Sequence, residues 1–128
     1  VTLNGSTPVA FLASTDLDRA RAFFGGNLGL PLITDDGFAC VFQAGPISMR
    51  VTLVDKATTA PYTVFGWLVG AIAQSIDDLR SAGVSFERFE GMKQDQRGIW
   101  TAPGGAQIAW FKDPDGNVLS LTQLPLGD

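Results

Sequence analysis

The sequence predicts an α+β fold built from two βαβββ modules of roughly equal size. Three observations carry this expectation. The same order of elements can be read twice along the chain, and a polar segment ending in proline, Asp55 to Pro61, separates the two readings. The third is Asp113-Pro114-Asp115-Gly116-Asn117, a strong hairpin turn in which proline presets φ and glycine supplies a positive φ. With 128 residues, 45% hydrophobic and 17% charged, the chain is long and apolar enough to bury a core without disulfides. Its 15 glycines and 7 prolines favour short elements joined by tight turns.

The first strand is predicted over Pro8 to Ala13. Thr15, with Asp18 three residues on, resembles a capping box. Leu17, Ala20, Phe24 and Leu28 then recur at helical spacing, and Gly29 stands where a left-handed cap would end the helix. Leu32 to Thr34, Phe38 to Gln43 and Ile47 to Val54 read as strands, with Asp35-Asp36-Gly37 and Ala44-Gly45-Pro46 as their turns. Beyond the linker, Thr63 to Val69 reads as a strand, and Ile72, Ile76 and Leu79 mark a helix ending at Gly83. Val84 to Phe89 alternates and is read as a strand. Gln107 to Lys112 and Val118 to Gln123 form the last hairpin. Module 1 is therefore placed at about 4–55, the linker at about 55–62 and module 2 at about 63–124, in a single domain. The long insertion at 90–106 holds Asp95, Arg97 and Trp100, and reads equally as a functional loop or as a mobile hairpin without a role.

Charge and composition exclude several functions. The net charge of −4 and the lack of any basic run argue against nucleic-acid binding. The longest apolar stretch, Thr63 to Ala73, is about 11 residues, short of the ~20 that span a bilayer. No basic-then-apolar leader opens the sequence. One cysteine, Cys40, cannot form an internal disulfide, which fits a reducing, cytoplasmic setting. The chain has no histidine, so Ser-His-Asp and Cys-His catalysis within one chain are excluded.

The pattern Phe11-x4-Asp16-Leu17-Asp18-Arg19-Ala20-x2-Phe23-Phe24-x3-Leu28-Gly29-Leu30 resembles the first module of the vicinal oxygen chelate superfamily, which includes glyoxalase I, extradiol dioxygenases and bleomycin-resistance proteins. Phe111-Lys112-Asp113-Pro114-Asp115-Gly116-Asn117-Val118-Leu119-Ser120-Leu121 resembles its C-terminal signature. The resemblance implies that the two modules form a cupped open barrel of mixed sheet with helices outside, and that the protein is a homodimer. It also implies metal-ligand positions at Val9, near Arg50, at Val64 or Thr63, and at Ser120. These residues are not a usable donor set, since valine has no donor and arginine is a fixed cation. No metal and no cofactor are therefore expected.

Strand alternation assigns candidate binding residues. If Ser120 faces the cup, so do Thr122, Val118 and, across the hairpin, Trp110. In module 1 the same parity turns Val9, Phe11, Ser48, Arg50 and Thr52 inward, with Cys40 opposite Arg50 and Phe42 opposite Ser48. Val64 is a further candidate, whereas Trp67 is expected under a helix. The ligand-binding set is thus Phe11, Cys40, Phe42, Arg50, Trp100, Trp110 and Ser120, with no catalytic residue. Each strand aromatic also reads as plain core filling, and Trp100 as a contact to the next subunit or to its own loop. Arg50, if buried, needs a carboxylate partner, with Glu87 as the internal candidate, or an anionic ligand; the remaining reading is that it is simply exposed. A cation beside Cys40 would lower its pKa, but no base accompanies it.

The favoured function is metal-independent binding of a small organic molecule, aromatic or drug-like, as in the bleomycin-resistance branch that the sequence resembles. The alternatives are a glyoxalase- or dioxygenase-like enzyme with a displaced metal site, using Glu87, Glu90 and Asp95, and an interaction module whose cup is plugged by its own side chains.

Overall fold

The computed structural model describes residues 2–126. The chain divides into two compact units, with the boundary between Thr58 and Thr59. Each unit holds a four-stranded mixed sheet, and the α+β class and doubled βαβββ order are as the sequence predicts.

In the first unit β1 (Val9–Ser14) leads into α1 (Leu17–Arg21), followed by β2 (Leu32–Asp35), β3 (Ala39–Ala44) and β4 (Ile47–Leu53). The sheet order is β1-β4-β3-β2, with β1 parallel to β4 and the other pairs antiparallel. The helix cap is Asp16 rather than Thr15: its carboxylate accepts the Arg19 N–H at 3.1 Å. An acceptor immediately before Leu17 reaches the orphan amide that Thr15, one residue too early, does not. After Arg21 the helix widens into a π-helical stretch, Ala22–Asn27. Gly29, with φ 74°, ends it as predicted, and the Leu30 N–H turns back to the Phe24 carbonyl at 2.9 Å.

α1 packs on β3 and β4, and the sheet face toward it is sealed by Leu12, Cys40, Phe42, Met49 and Val51, all buried. Phe24 lies 5.7 Å from Phe42 in this layer. The opposite face carries Val9, Phe11, Ser48, Arg50 and Thr52, whose register aligns Phe11 with Arg50.

The second unit repeats the plan with β5 (Thr63–Leu68), α2 (Ile72–Ser81), β6 (Trp100–Thr101), β7 (Gln107–Lys112) and β8 (Val118–Gln123), in the order β5-β8-β7-β6. α2 has no side-chain cap of its own; the Gln123 amide oxygen, from the end of β8, accepts the Ile72 N–H at 2.8 Å. Ile72 and Ile76 are buried with Ala109, Phe111, Leu119 and Leu121. Trp67 stacks on Phe111 at 6.2 Å in this layer, on the helix side as expected.

The strand expected over Val84 to Phe89 does not form. That segment makes a single bridge, Phe86 to Phe111, and the fourth strand of the sheet is Trp100–Thr101. The alternation there reflects side-chain burial, since Val84 is 5% exposed and Phe86 packs 5.4 Å from Phe111. One-sided burial of an extended segment gives the same pattern as a paired strand.

The closing hairpin has the predicted register, Lys112 opposite Val118 and Trp110 opposite Ser120. Its turn is built on Asp113, whose carboxylate accepts the Asp115 and Asn117 N–H groups and the Asn117 side-chain amide at 2.7–3.0 Å. Burial raises the Asp113 pKa above the ordinary 3.8 against the lowering effect of these bonds.

Candidate functional site

In the second unit the helix-free face of the sheet collects aromatic rings. Ile108 and Trp110 stand on β7, Ser120 and Thr122 on β8, and Gly66 on β5, in one cross-strand patch. Trp100 on β6 pairs with Ile108, which brings its ring to 6.3 Å from that of Trp110. Phe89, from the segment after α2, meets Trp110 edge-on at 5.5 Å with the planes at 87°. Edge-to-face geometry puts the positive edge of one ring on the negative face of the next. Lys112 and Glu87 pair at 3.7 Å beside the patch.

The floor of the patch is close-packed at Gly66. A Cβ there would lie 2.7 Å from the Ser120 carbonyl and 2.8 Å from Ser120 Oγ, inside contact distance. Glycine allows β5 and β8 to approach at this point, and Ser120, opposite Trp110, is 7% exposed. The patch offers broad apolar surface with hydroxyls at Ser120 and Thr122. With no imidazole in the chain, no histidine can activate the serine as a nucleophile.

The segment carrying Phe89 and leading to Trp100 is pinned by specific bonds. The Gln94 amide donates to the Glu87 and Gly98 carbonyls and accepts the Phe89 N–H. Asp95 accepts the Arg97 and Ile99 N–H groups at 2.9 Å each. Arg97 in turn forms a two-point ion pair with Asp77 of α2, at 3.0 and 2.9 Å. This pairing lowers the Asp77 pKa.

In the first unit the helix-free face holds Phe11, 66% exposed, and Arg50. Arg50 pairs with Asp36 at 3.8 Å, not with Glu87, which is engaged by Lys112. The Phe38 and Ala39 backbone bonds, helped by Arg50, lower the Asp36 pKa.

Cys40 and Phe42 do not share that face. Cys40 pairs with Val51 and Phe42 with Met49, so both are turned to the helix side and fully buried. The expected register assumed a three-residue turn, but Ala44 pairs directly with Ile47 around a two-residue Gly45-Pro46 turn. One residue fewer in the turn shifts the register by one and exchanges the faces. The cation beside Cys40 is Arg21, at 3.8 Å, rather than Arg50. Burial outweighs it and raises the thiol pKa, opposite to the expected direction.

Of the sequence-predicted set, Trp100, Trp110 and Ser120 thus meet on one sheet face, Phe11 and Arg50 meet on the other unit's sheet, and Cys40 and Phe42 are core. Phe89 and Gly66 were not expected in the patch. Phe89 carried no distinguishing signal, since its segment read as a strand.

Residues 7–121 match the model of the Glyoxalase/Bleomycin resistance protein/Dioxygenase superfamily. The chain belongs to that superfamily. Solved structures share the fold. A glyoxalase/bleomycin resistance protein/dioxygenase from Alicyclobacillus acidocaldarius is 15% identical with TM-score 0.70, covering 93% of this chain and 91% of that one. Lactoylglutathione lyase from Agrobacterium tumefaciens is 17% identical with TM-score 0.67, covering 92% of each chain. TioX from Micromonospora sp. ML1 is 19% identical with TM-score 0.71, covering 94% of this chain and all of that one. No curated protein matches significantly.

The positions that the sequence resemblance assigns to the metal ligands of this superfamily carry no usable donor set in this chain. Val9 and Arg50 stand on the first sheet, Val64 or Thr63 and Ser120 on the second, and the neutral donors among them are hydroxyls alone. Among the described residues no three His, Cys, Asp or Glu side chains group closely enough to hold a metal ion. The residues present do not fit the superfamily's metal.

Proposed function

We propose that this superfamily member binds a small, planar organic molecule on the helix-free face of its second sheet, without a metal ion. The observation that carries the reading is the Phe89, Trp100 and Trp110 group, with ring contacts of 5.5 and 6.3 Å, on a sheet whose register sets Trp110 opposite Ser120. Apolar rings with a few polar points are what a small organic ligand requires. A flat ligand stacked on such rings gains roughly 0.5–1.5 kcal/mol per ring beyond its buried area. Phe11 and Arg50, on the first sheet taken by itself, are a further aromatic ring and a cation on a helix-free face. Cys40 and Phe42, being core, are left out.

The test is tryptophan fluorescence during titration with a panel of neutral and cationic aromatic compounds. A saturable quench is expected, weakened about tenfold or more in Trp110→Ala and in Trp100→Ala. Saturable binding that neither substitution weakens, or no binding across the panel, would refute the assignment. The competing reading, a glyoxalase-like lyase or dioxygenase with displaced ligands, requires stoichiometric metal. We also read the protein as a cytoplasmic homodimer. Its free, buried cysteine suits a reducing compartment. Each sheet ends in edge strands, β1 and β2 in the first and β5 in the second, whose outer edges a second copy could cover, whereas β6 also bridges to Gln94 through Trp100. No helix among the described residues is long and apolar enough to cross a membrane.

A further inference from the structure

A cleft of about 360 Å³ with no tryptophan in its lining opens in the second unit, between the C-terminal end of α2 and the segment that follows it. Its walls are Arg80, Gly83, Val84, Ser85, Phe86, Arg88, Gln96, Arg97 and Gly98. Half of the chain's six arginines thus line one cleft, in a chain whose net charge is −4. No carboxylate is among the lining residues.

The three guanidiniums are not equally engaged. Arg97 gives Nε and Nη2 to Asp77, and Arg88 gives Nη2 to the Asp95 carbonyl at 2.5 Å. Arg80 feels Asp77 only through the longer-range attraction of opposite charges. Each of the three arginines therefore keeps unengaged N–H donors, and Ser85 and Gln96 line the same cleft. The glycines keep the walls low: Gly83 and Gly98 have φ of 95° and 88°, where a side chain would be strained.

We propose that this cleft binds a small soluble molecule through a phosphate group. A planar carboxylate satisfies one guanidinium fork, whereas a phosphate presents oxygens in three directions and carries about −1.5 to −2 charges at neutral pH. The cleft exceeds the size of the phosphate itself and leaves room for an organic part, at the lower end of the usual ~300–1,000 Å³ of ligand sites. The inference does not rest on the aromatic patch.

The experiment is a titration of the ¹⁵N-labelled chain with inorganic phosphate and with glycerol 3-phosphate, glycerol serving as control, followed by amide shifts. Neither phosphate probe stacks on tryptophan, so the result is independent of the fluorescence test. Saturable shifts are expected at Gly83, Ser85, Gln96 and Gly98, with affinity falling as salt is added. Arg80→Gln and Arg88→Gln, both exposed, should each weaken binding by about tenfold, with the free Arg80→Gln spectrum otherwise that of the parent and changes in free Arg88→Gln confined to the surroundings of its lost bond to Asp95. Shifts scattered over the surface, or variants that bind like the parent, would overturn the proposal. So would sedimentation with phosphatidic acid vesicles in the absence of saturable binding of the soluble phosphates.

Discussion

At Gly66 a hydrogen stands where any other residue would press a methyl group against Ser120. Gly66→Ala should destabilise the protein by about 1–3 kcal/mol, since the nearest obstacle is a backbone carbonyl that cannot rotate away. Urea unfolding measures this, and adding Ser120→Ala should restore only part of the loss, because it removes the Oγ contact and leaves the carbonyl contact. The same strand position shows how far single residues were legible. The hairpin turn put Trp110 opposite Ser120, and strand parity put Trp67 on the helix side. Phe89 and Gly66 were not legible, because an isolated ring or glycine has no periodicity to reveal which neighbour it meets. Cys40 and Phe42 were misplaced for a related reason: one residue of turn length decides the face, and Ala44-Gly45-Pro46 is compatible with a turn of either two or three residues.

Between elements, the Asp77–Arg97 pair ties α2 to the segment that leads into β6. Asp77 has its pKa lowered, chiefly by the Arg97 hydrogen bonds. A carboxylate whose folded-state pKa lies below its unfolded value of about 3.8 adds stability above that value and loses it as pH falls through the folded one. The stability difference between the parent and Asp77→Asn should therefore be greatest above about pH 4 and vanish in stronger acid, as followed by urea unfolding over a pH series. Salt should shrink it at every pH, because the pair is exposed. A difference independent of pH would show that the ion pair contributes nothing. The segment itself was the least legible element. Val84 to Phe89 has the alternation of a strand and the packing of a strap, while the actual strand, Trp100–Thr101, is too short to leave a period.

For the whole chain, the inventory of donors leads to a direct measurement. Protein purified without added metal, then exposed to Zn²⁺, Ni²⁺, Mn²⁺ and Fe²⁺, should retain less than about a tenth of an equivalent, because imidazole is absent and carboxylates alone give tight sites only when several converge. Near-stoichiometric metal would make the enzyme reading the leading one. Light scattering at micromolar concentration should give the mass of two chains, about twice 13.6 kDa, and a monomer would remove the homodimer proposal. By itself the sequence determined the α+β class, the doubled βαβββ order, the superfamily and the absence of histidine, because hydrophobic period, turn chemistry and residue inventory are local properties. Only the tertiary structure decided which faces the side chains share, that Asp36 rather than Glu87 answers Arg50, and that three arginines line one cleft. Those facts depend on register and on segments brought together from distant parts of the chain, where a single residue in a turn changes the outcome.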